Sequence, residues 1–464
     1  MSPVKAAPAT ACHVVVIAYP GRGHINPMLN LCKILASKKT DILVTFVATE
    51  EWLGLIGSDS KLDNVRYASI PNVVPSELVR AANMDTFLEA VFTKMEAPFE
   101  RLLDRLDPPP AVIVSDTFLS WTVGVGNRRN IPVASFWPAS ASVFSVFQHF
   151  DLLAQNKHFP VDISAKGNER VDYIPGISPT RVLDLPLIDG KQEQMLQSIQ
   201  KLIPWVTKAQ YFLFPSTYEL ESEAIDVLKA EFPSPVYAIG PSIPYFELGE
   251  NFSLASDDKD LDYFQWLDCQ PGNSVLYISM GSFLSVSSAQ MEELAAGLRD
   301  SGVRFLWVAR GESCRVKEIC GDMGFVVPWC EQLRVLSHSS IGGFLTHCGW
   351  NSTQEGVYCG VPFLTFPIGN DQPLNSKLIV EDWKIGWRVK QEVGVDKVVT
   401  REDIARLVKN FMNLESDEGK EMRRRAGELQ QITQRSIAEK GSSRNNINAF
   451  VTDVFHNAKH ADGK

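Results

Sequence analysis

Twice along this chain a short apolar run ends in a glycine turn and opens into a helix-like stretch. The first run is HVVVIA (13–18), followed by YPGRGHINP and the helical pattern NPMLNLCKILASKK. Further runs follow at DILVTFVA (41–48), NVRYAS (64–69), AVIVS (111–115) and PVASFW (132–137), with helical patterns between them. The second series begins at SVLYISM (274–280) and continues through VRFLWVA (303–309), GFVVP (324–328), IGGFLTH (341–347) and VPFLTFP (361–367). Strands separated by helices cannot pair as hairpins; they lie parallel, and the helices cover both faces of the sheet. The expected fold class is therefore α/β, with two similar halves, each built on a parallel sheet.

Boundaries follow from composition. Residues 1–12 form a polar, Ala/Pro-rich lead, read as disordered and not as a signal peptide. The first domain is placed at 13–245, with a less regular, proline-punctuated stretch over 150–205. A polar, acidic segment around GENFSLASDDKDLD marks a linker over 246–262. Its carboxylates lack the glycine and terminal glutamate of a calcium loop. The second domain is placed at 263–440, and Gly441 stops one helix before a final helix over 441–464.

Several function classes are disfavoured. A net charge of −10 argues against nucleic acid as a partner, because binding phosphates takes a basic surface. The longest uncharged stretch, IPVASFWPASASVFSVFQ, is broken by prolines and suits a packed strand and helix better than a membrane span. The eight cysteines follow no zinc spacing and read as reduced thiols in a cytoplasmic protein.

His24 sits in the first glycine turn, where a phosphate loop would place lysine. PGRGHIN lacks the GK[ST] of a P-loop and the third glycine of a dinucleotide fingerprint. Ligands of open parallel sheets bind at the carboxyl ends of the strands. Asp116, at the end of AVIVS, faces that same edge. If the two strands are neighbours, Asp116 can orient the His24 imidazole and leave its other nitrogen as a base. A merely structural histidine is the competing reading.

The second half offers HCGWNSTQEG, 347–356. Gly349 permits close approach of a ligand, and Asn351, Ser352 and Thr353 fall in a first helical turn, where free N–H groups favour an anion. Glu355 lies one turn on, on the face of Asn351. This arrangement suits a nucleotide; plain capping by Asn351 or Ser352 is the alternative. SMGSF (279–283) adds a second glycine turn with Ser282, and Trp329 follows GFVVP at another strand end.

From Trp329 to Gln372 the chain reads WCEQLRVLSHSSIGGFLTHCGWNSTQEGVYCGVPFLTFPIGNDQ, which resembles the 44-position signature box of plant family 1 UDP-glycosyltransferases. The PGRGHINP and SMGS turns stand where that family has them. One departure is Cys330-Glu331, where the box has Ala or Val followed by Pro. The change removes a fixed φ and adds an N–H.

The resemblance implies the GT-B architecture: two Rossmann-like domains facing across a cleft, the first for acceptor and the second for nucleotide sugar, with the last helix returning to the first domain. It implies that Trp329 stacks on uracil, with Gln332 at its edge, and that Glu355 holds the ribose. It assigns Ser282, His347, Asn351 and Ser352 to the diphosphate, beside Gly349, and Trp350, Asp371 and Gln372 to the sugar. The pair Trp350 and Gln372 points to UDP-glucose. His24 would be the general base and Asp116 its orienting partner in an inverting transfer, with no metal required, to a hydroxyl of a small lipophilic phenolic, flavonoid or terpenoid acceptor. A monomeric enzyme of plant secondary metabolism is the expectation. A catalytically silent UDP-sugar binder and a nucleotide-dependent oxidoreductase are the alternatives; the first would not need a His/Asp pair, and the incomplete glycine fingerprint weighs against the second.

Overall fold

The computed structural model describes residues 12–38, 41–57, 64–82, 84–188, 193–248, 259–281, 286–310, 313–390 and 398–461. The chain divides into two compact units. The first comprises Met1–Gln148, Glu193–Ser242 and Ser436–Lys464; the second comprises His149–Gln192 and Ile243–Arg435.

The strands, in chain order, are β1 (Cys12–Ile17), β2 (Ile42–Thr49), β3 (Val65–Ile70), β4 (Val112–Asp116), β5 (Val133–Phe136), β6 (Arg170–Val171), β7 (Thr180–Arg181), β8 (Tyr211–Phe214), β9 (Val236–Ala238), β10 (Val275–Ser279), β11 (Arg304–Val308), β12 (Gly324–Val327), β13 (Ile341–Thr346), β14 (Phe363–Thr365) and β15 (Gly386–Arg388). The first unit holds the sheet β3-β2-β1-β4-β5-β8-β9, and its described pairings are all parallel. Every residue of β1, β2, β4, β5, β8 and β9 is buried. That is why these strands read as unbroken apolar runs: helices cover both faces. Thr49 caps the helix Glu50–Ile56 by accepting a hydrogen bond from the Trp52 N–H at 3.4 Å.

The second unit holds the parallel sheet β12-β11-β10-β13-β14-β15. Its core gathers Leu276, Ile278, Phe305, Trp307, Leu345 and Leu364 from the sheet with Leu294, Leu298, Ile404 and Phe411 from the helices. In both sheets the first strand lies between the second and the fourth of its series. The chain therefore fills one side of the sheet, returns, and fills the other. The junctions β1/β4 and β10/β13 are the switch points where adjacent connections leave toward opposite faces.

Residues 149–192, read from the sequence as part of the first domain, group with the second unit. Charge explains this. The buried Asp184 carboxylate accepts from Arg388 at 2.7 and 3.2 Å and from Arg181 at 2.8 and 3.0 Å. Glu381 in turn accepts from Arg388 at 2.9 Å and from Arg170 at 3.0 Å. The buried Lys377 ammonium pairs with Asp382 at 2.8 Å and also meets Ser178. These bonds fasten the hairpin β6–β7 and the turn after it to β15 and to residues 377–382.

The last helix, Ser442–Ala461, packs on β9 in the first unit. Phe450 meets Tyr211 and Tyr237 edge-on at 5.6 and 5.8 Å, and the Tyr237 hydroxyl donates to Asp453. No helix among the described residues is long and apolar enough to cross a membrane.

Removing one partner of a buried ion network leaves the others desolvated and under-paired. Arg388→Met is expected to destabilise the second unit by about 3 kcal/mol, read as a lowered urea midpoint and faster proteolytic cleavage within 149–192. Wild-type behaviour in both assays would mean that the cluster does not hold this segment.

Candidate active site

At the first switch point, β1 and β4 are hydrogen-bonded neighbours, so the condition attached to His24 and Asp116 is met. His24 lies in the first turn of the helix Arg22–Lys38, directly after the glycine turn. Its Nδ1 is 2.8 Å from Asp116 Oδ2, while Asp116 Oδ1 accepts the Phe118 N–H at 3.0 Å. Both oxygens of this fully buried carboxylate are thus engaged, and its direction is fixed. The His24 side chain keeps 24% of its surface exposed, and no hydrogen bond to Nε2 occurs among the described residues. The ring stands 4.5 Å from Tyr19 and edge-on to Phe118 at 5.2 Å. Burial pushes the Tyr19 phenol well up, so it stays neutral.

The turn itself rests on Arg80, which sequence reasoning missed. Its buried guanidinium donates to the Pro20 carbonyl at 3.1 Å and pairs with Glu77 at 2.9 Å. A Cβ at Gly21 would lie 2.3 Å from Arg80 Nη1, so glycine is needed there for close approach. The aromatic side chains that follow β4 and β5 pack largely on one another. Phe118 stacks on Trp137 at 5.8 Å, and Trp137 meets Phe144 and Phe147 at 5.1 and 6.1 Å.

At the second switch point, the turns after β10 and β13 converge on His347. A Cβ at Gly281 or at Gly349 would lie 2.5 Å from its Nε2, and Gly281 has φ +84°. Burial lowers the His347 pKa to about 4, with the Ser279 backbone pulling the other way, so the ring is neutral at pH 7. Ser282 lies outside the described residues. Gly349 is the N-cap of the helix Trp350–Cys359 and gives it no side-chain cap. Capping by Asn351 or Ser352 is therefore not what these residues do. Asn351, partly buried, and Ser352 lie in the first turn, and the Ser352 hydroxyl accepts from Gln332 Nε2 at 2.9 Å.

Gln332 is the hub of a network. The same amide nitrogen donates to Glu355 Oε2, and its oxygen accepts the Tyr277 hydroxyl at 3.1 Å. Tyr277 also lies 3.3 Å from Cys330 Sγ. Burial raises the Glu355 pKa to about 7, against the pull of Gln332. Trp329 follows β12 and is 50% exposed, so it is no core tryptophan. Trp350 is buried beside Trp383 at 6.4 Å, and its indole N–H makes no hydrogen bond among the described residues. Asp371 stands at the N-cap position of the helix Gln372–Lys377 without a side-chain cap, and Gln372 Oε1 accepts the N–H groups of Ile368 and Gly369 at 2.8 and 3.1 Å. Asn375 was not singled out from sequence; it joins Asp371 to the carbonyl of Cys348. Its position one turn after Asp371 was the available signal.

Comparison with known proteins decides the family. Residues 192–424 match the family model described as UDP-glucoronosyl and UDP-glucosyl transferase. The chain is 53% identical to UDP-glycosyltransferase 87A1 of Arabidopsis thaliana across 94% of its length and 99% of that protein, and 51% identical to UDP-glycosyltransferase 87A2 of the same plant across 98% and 99%. The chain belongs to the plant family 1 UDP-glycosyltransferases. Among solved structures it is similar to Medicago truncatula UGT71G1 complexed with UDP-glucose, with a TM-score of 0.81 and 25% identity over 96% of this chain and 98% of that one. It is also similar to Phytolacca americana UGT2 complexed with UDP-2fluoro-glucose and pterostilbene, with a TM-score of 0.79 and 27% identity over 96% and 100%. This glycosyltransferase therefore has the GT-B fold, with two Rossmann-like domains.

The lowered His347 pKa has a consequence for stability. As pH falls through 6.5 the unfolded chain protonates this histidine, whereas the folded enzyme resists until about 4. The contribution is present above 6.5 and is lost progressively below it, by at most ~1.4 kcal/mol per pH unit. His347→Gln is expected to flatten the fall in urea midpoint between pH 6.5 and 4. An unchanged pH dependence would mean the ring is already protonated in the fold.

Proposed function

We propose that this glycosyltransferase moves glucose from UDP-glucose to a hydroxyl of a small lipophilic acceptor, a phenolic, flavonoid or terpenoid alcohol, with inversion at the anomeric carbon. The observation that carries this reading is the His24–Asp116 pair at the β1/β4 switch point. The buried carboxylate holds Nδ1 and stabilises the imidazolium, and Nε2 is left to take a proton. In the proposed step Nε2 removes the acceptor's hydroxyl proton as the oxygen bonds to the anomeric carbon. The bond from that carbon to the diphosphate breaks on the opposite face, and UDP leaves with the electron pair. The product is a β-glucoside, and no covalent enzyme intermediate forms.

The donor roles rest on chemistry that the second unit supplies. The uncapped helix start at Gly349–Ser352 offers N–H groups to the developing charge on UDP, a term that needs no metal. His347, being neutral, adds a polar contact without a cation, and Asn351, Ser352 and Ser282 complete the diphosphate set. Trp329, half exposed, is suited to stack on uracil beside Gln332, and Glu355 to accept from ribose hydroxyls. Trp350, Asp371 and Gln372 are assigned to glucose. The UDP-glucose and UDP-2fluoro-glucose complexes of the similar structures support the donor, and the pterostilbene complex supports an aromatic acceptor.

The first test is mass spectrometry of products from purified enzyme, UDP-glucose and a panel of plant phenols and terpenoid alcohols. An added hexose is expected. His24→Ala should lose ~10²–10⁴-fold in turnover while keeping UDP binding, with Asp116→Asn falling the same way. Full activity of His24→Ala on weakly acidic alcohols would overturn the base assignment, and UDP binding without transfer to any acceptor would favour a silent binder. A second expectation concerns Glu355. Its carboxylate forms as pH rises through about 7, so the donor KM should fall across that range and Glu355→Gln should remove the trend. A pH-independent KM in the wild type would place the ribose contact elsewhere.

A further inference from the structure

We infer that the Tyr19 hydroxyl is a hydrogen-bond donor of the acceptor site and selects acceptors with a neutral oxygen on the carbon next to the attacked hydroxyl. The inference rests on the reading above, in which His24 takes the acceptor's proton. Tyr19 follows the end of β1 and opens the glycine turn that carries His24. Its ring is packed against His24, Phe118 and Phe87, with centroids 4.5, 5.6 and 5.7 Å away. Its carbonyl accepts the Gly21 N–H at 2.8 Å. Ring and backbone are both held, and the residue is only 4% exposed, so the direction of the hydroxyl is fixed. A buried tyrosine hydroxyl normally finds a partner. This one makes no hydrogen bond among the described residues, and it is not one of the side-chain atoms sealed from solvent. Phe87 and Phe118 carry no polar atom. The hydroxyl is therefore the polar group of the ring wall beside His24.

Its chemistry narrows what it can bind. Burial, opposed by Arg80 and reinforced by Asp116 and Glu77, keeps the phenol protonated, so it donates. A proton donated to the attacked oxygen would draw charge from that oxygen as it bonds to the anomeric carbon, and would slow the attack. An oxygen on the adjacent carbon takes the same bond without that cost. That oxygen is neutral. Arg80 is already paired with Glu77 at 2.9 Å, which leaves the Asp116 carboxylate to repel a second anion. The acceptor class is thus a phenol or alcohol with an adjacent hydroxyl, methoxy or carbonyl oxygen, as in an ortho-diphenol. An analogue lacking it would cover the Tyr19 hydroxyl and leave it unpaired.

Catechol and phenol differ by that one oxygen, and each gives a single monoglucoside. Tyr19→Phe keeps the ring packing and removes only the hydroxyl. Steady-state kinetics of the full-length enzyme with UDP-glucose would give kcat/KM for both acceptors in wild type and variant. The catechol-to-phenol ratio is expected to fall about three- to tenfold in Tyr19→Phe, through a higher KM for catechol and not a lower kcat. The different acidities of the two phenols cancel, because wild type and variant are compared on the same pair. If both turn over too slowly to measure, the best acceptor of the panel and its analogue without the neighbouring oxygen carry the same comparison. An unchanged ratio would overturn the inference. So would an equal loss on both acceptors, which would show that the hydroxyl serves His24 or the fold, and so would a best acceptor with no neighbouring oxygen. Wild-type enzyme that transfers glucose to no acceptor would instead overturn the functional reading on which the inference rests.

Discussion

Two parallel strands cannot be joined by a tight turn, and everything chemical in this molecule depends on that constraint. Each connection must cross a face of the sheet, and each crossover is right-handed. A chain that begins in the middle of its sheet and fills both sides must reverse once. At the reversal, neighbouring connections leave toward opposite faces and the carboxyl ends of two strands lie open. The β1/β4 junction holds His24 and Asp116; the β10/β13 junction holds Gly281, His347 and the uncapped helix start. The same topological event, occurring once in each unit, yields the His24–Asp116 pair in one and a glycine turn with an uncapped helix start in the other. The difference between them is made by a few side chains on loops that the sheets hold in place.

Charge is distributed to match. In the second unit a buried ion cluster, Asp184–Arg388–Glu381, fastens residues 149–192. At the β10/β13 junction burial holds two titratable side chains at or near neutrality. His347 is pushed down to about 4 and Glu355 up to about 7, both by burial. In the proposed transfer, a permanent positive side chain there would bind product UDP as strongly as it helped UDP to leave. Backbone N–H groups at a helix start avoid this, because their dipoles are fixed before the charge develops and need no reorganisation.

The sequence made both junctions legible because each is a local pattern: an apolar run, glycines, then a helix. The pairing of His24 with Asp116 was legible only as a condition, since strand adjacency is a long-range fact that spacing does not encode. Short elements escaped. β8, β9 and β15 have three or four residues each, too few to show a period. The regrouping of 149–192 escaped because it is decided by Arg388, some 200 residues downstream of Asp184 in the chain. Arg80 and Asn375 escaped for a related reason. Arg80 acts in part through the Pro20 carbonyl and Asn375 in part through that of Cys348, and a carbonyl leaves no mark in the sequence.

The departure at Cys330-Glu331 shows how a local rule is replaced by contacts. Proline at 331 would fix φ near −65° and leave no N–H to satisfy. Glu331 reaches φ −76° without the ring, and its N–H is directed at the Tyr263 hydroxyl at 3.4 Å. Its carboxylate pairs with Arg334, whose guanidinium lies 4.7 Å over the Phe264 ring. On the other side, Cys330 is buried against Tyr277, the residue that also anchors Gln332. The segment that presents Trp329 is thus held from both flanks by side chains of the helix Lys259–Asp268 and of β10. Rigidity that proline would supply through the unfolded chain's lost freedom is supplied here by packing in the folded one. The segment beneath the exposed indole thus depends on the aromatic side chains around it.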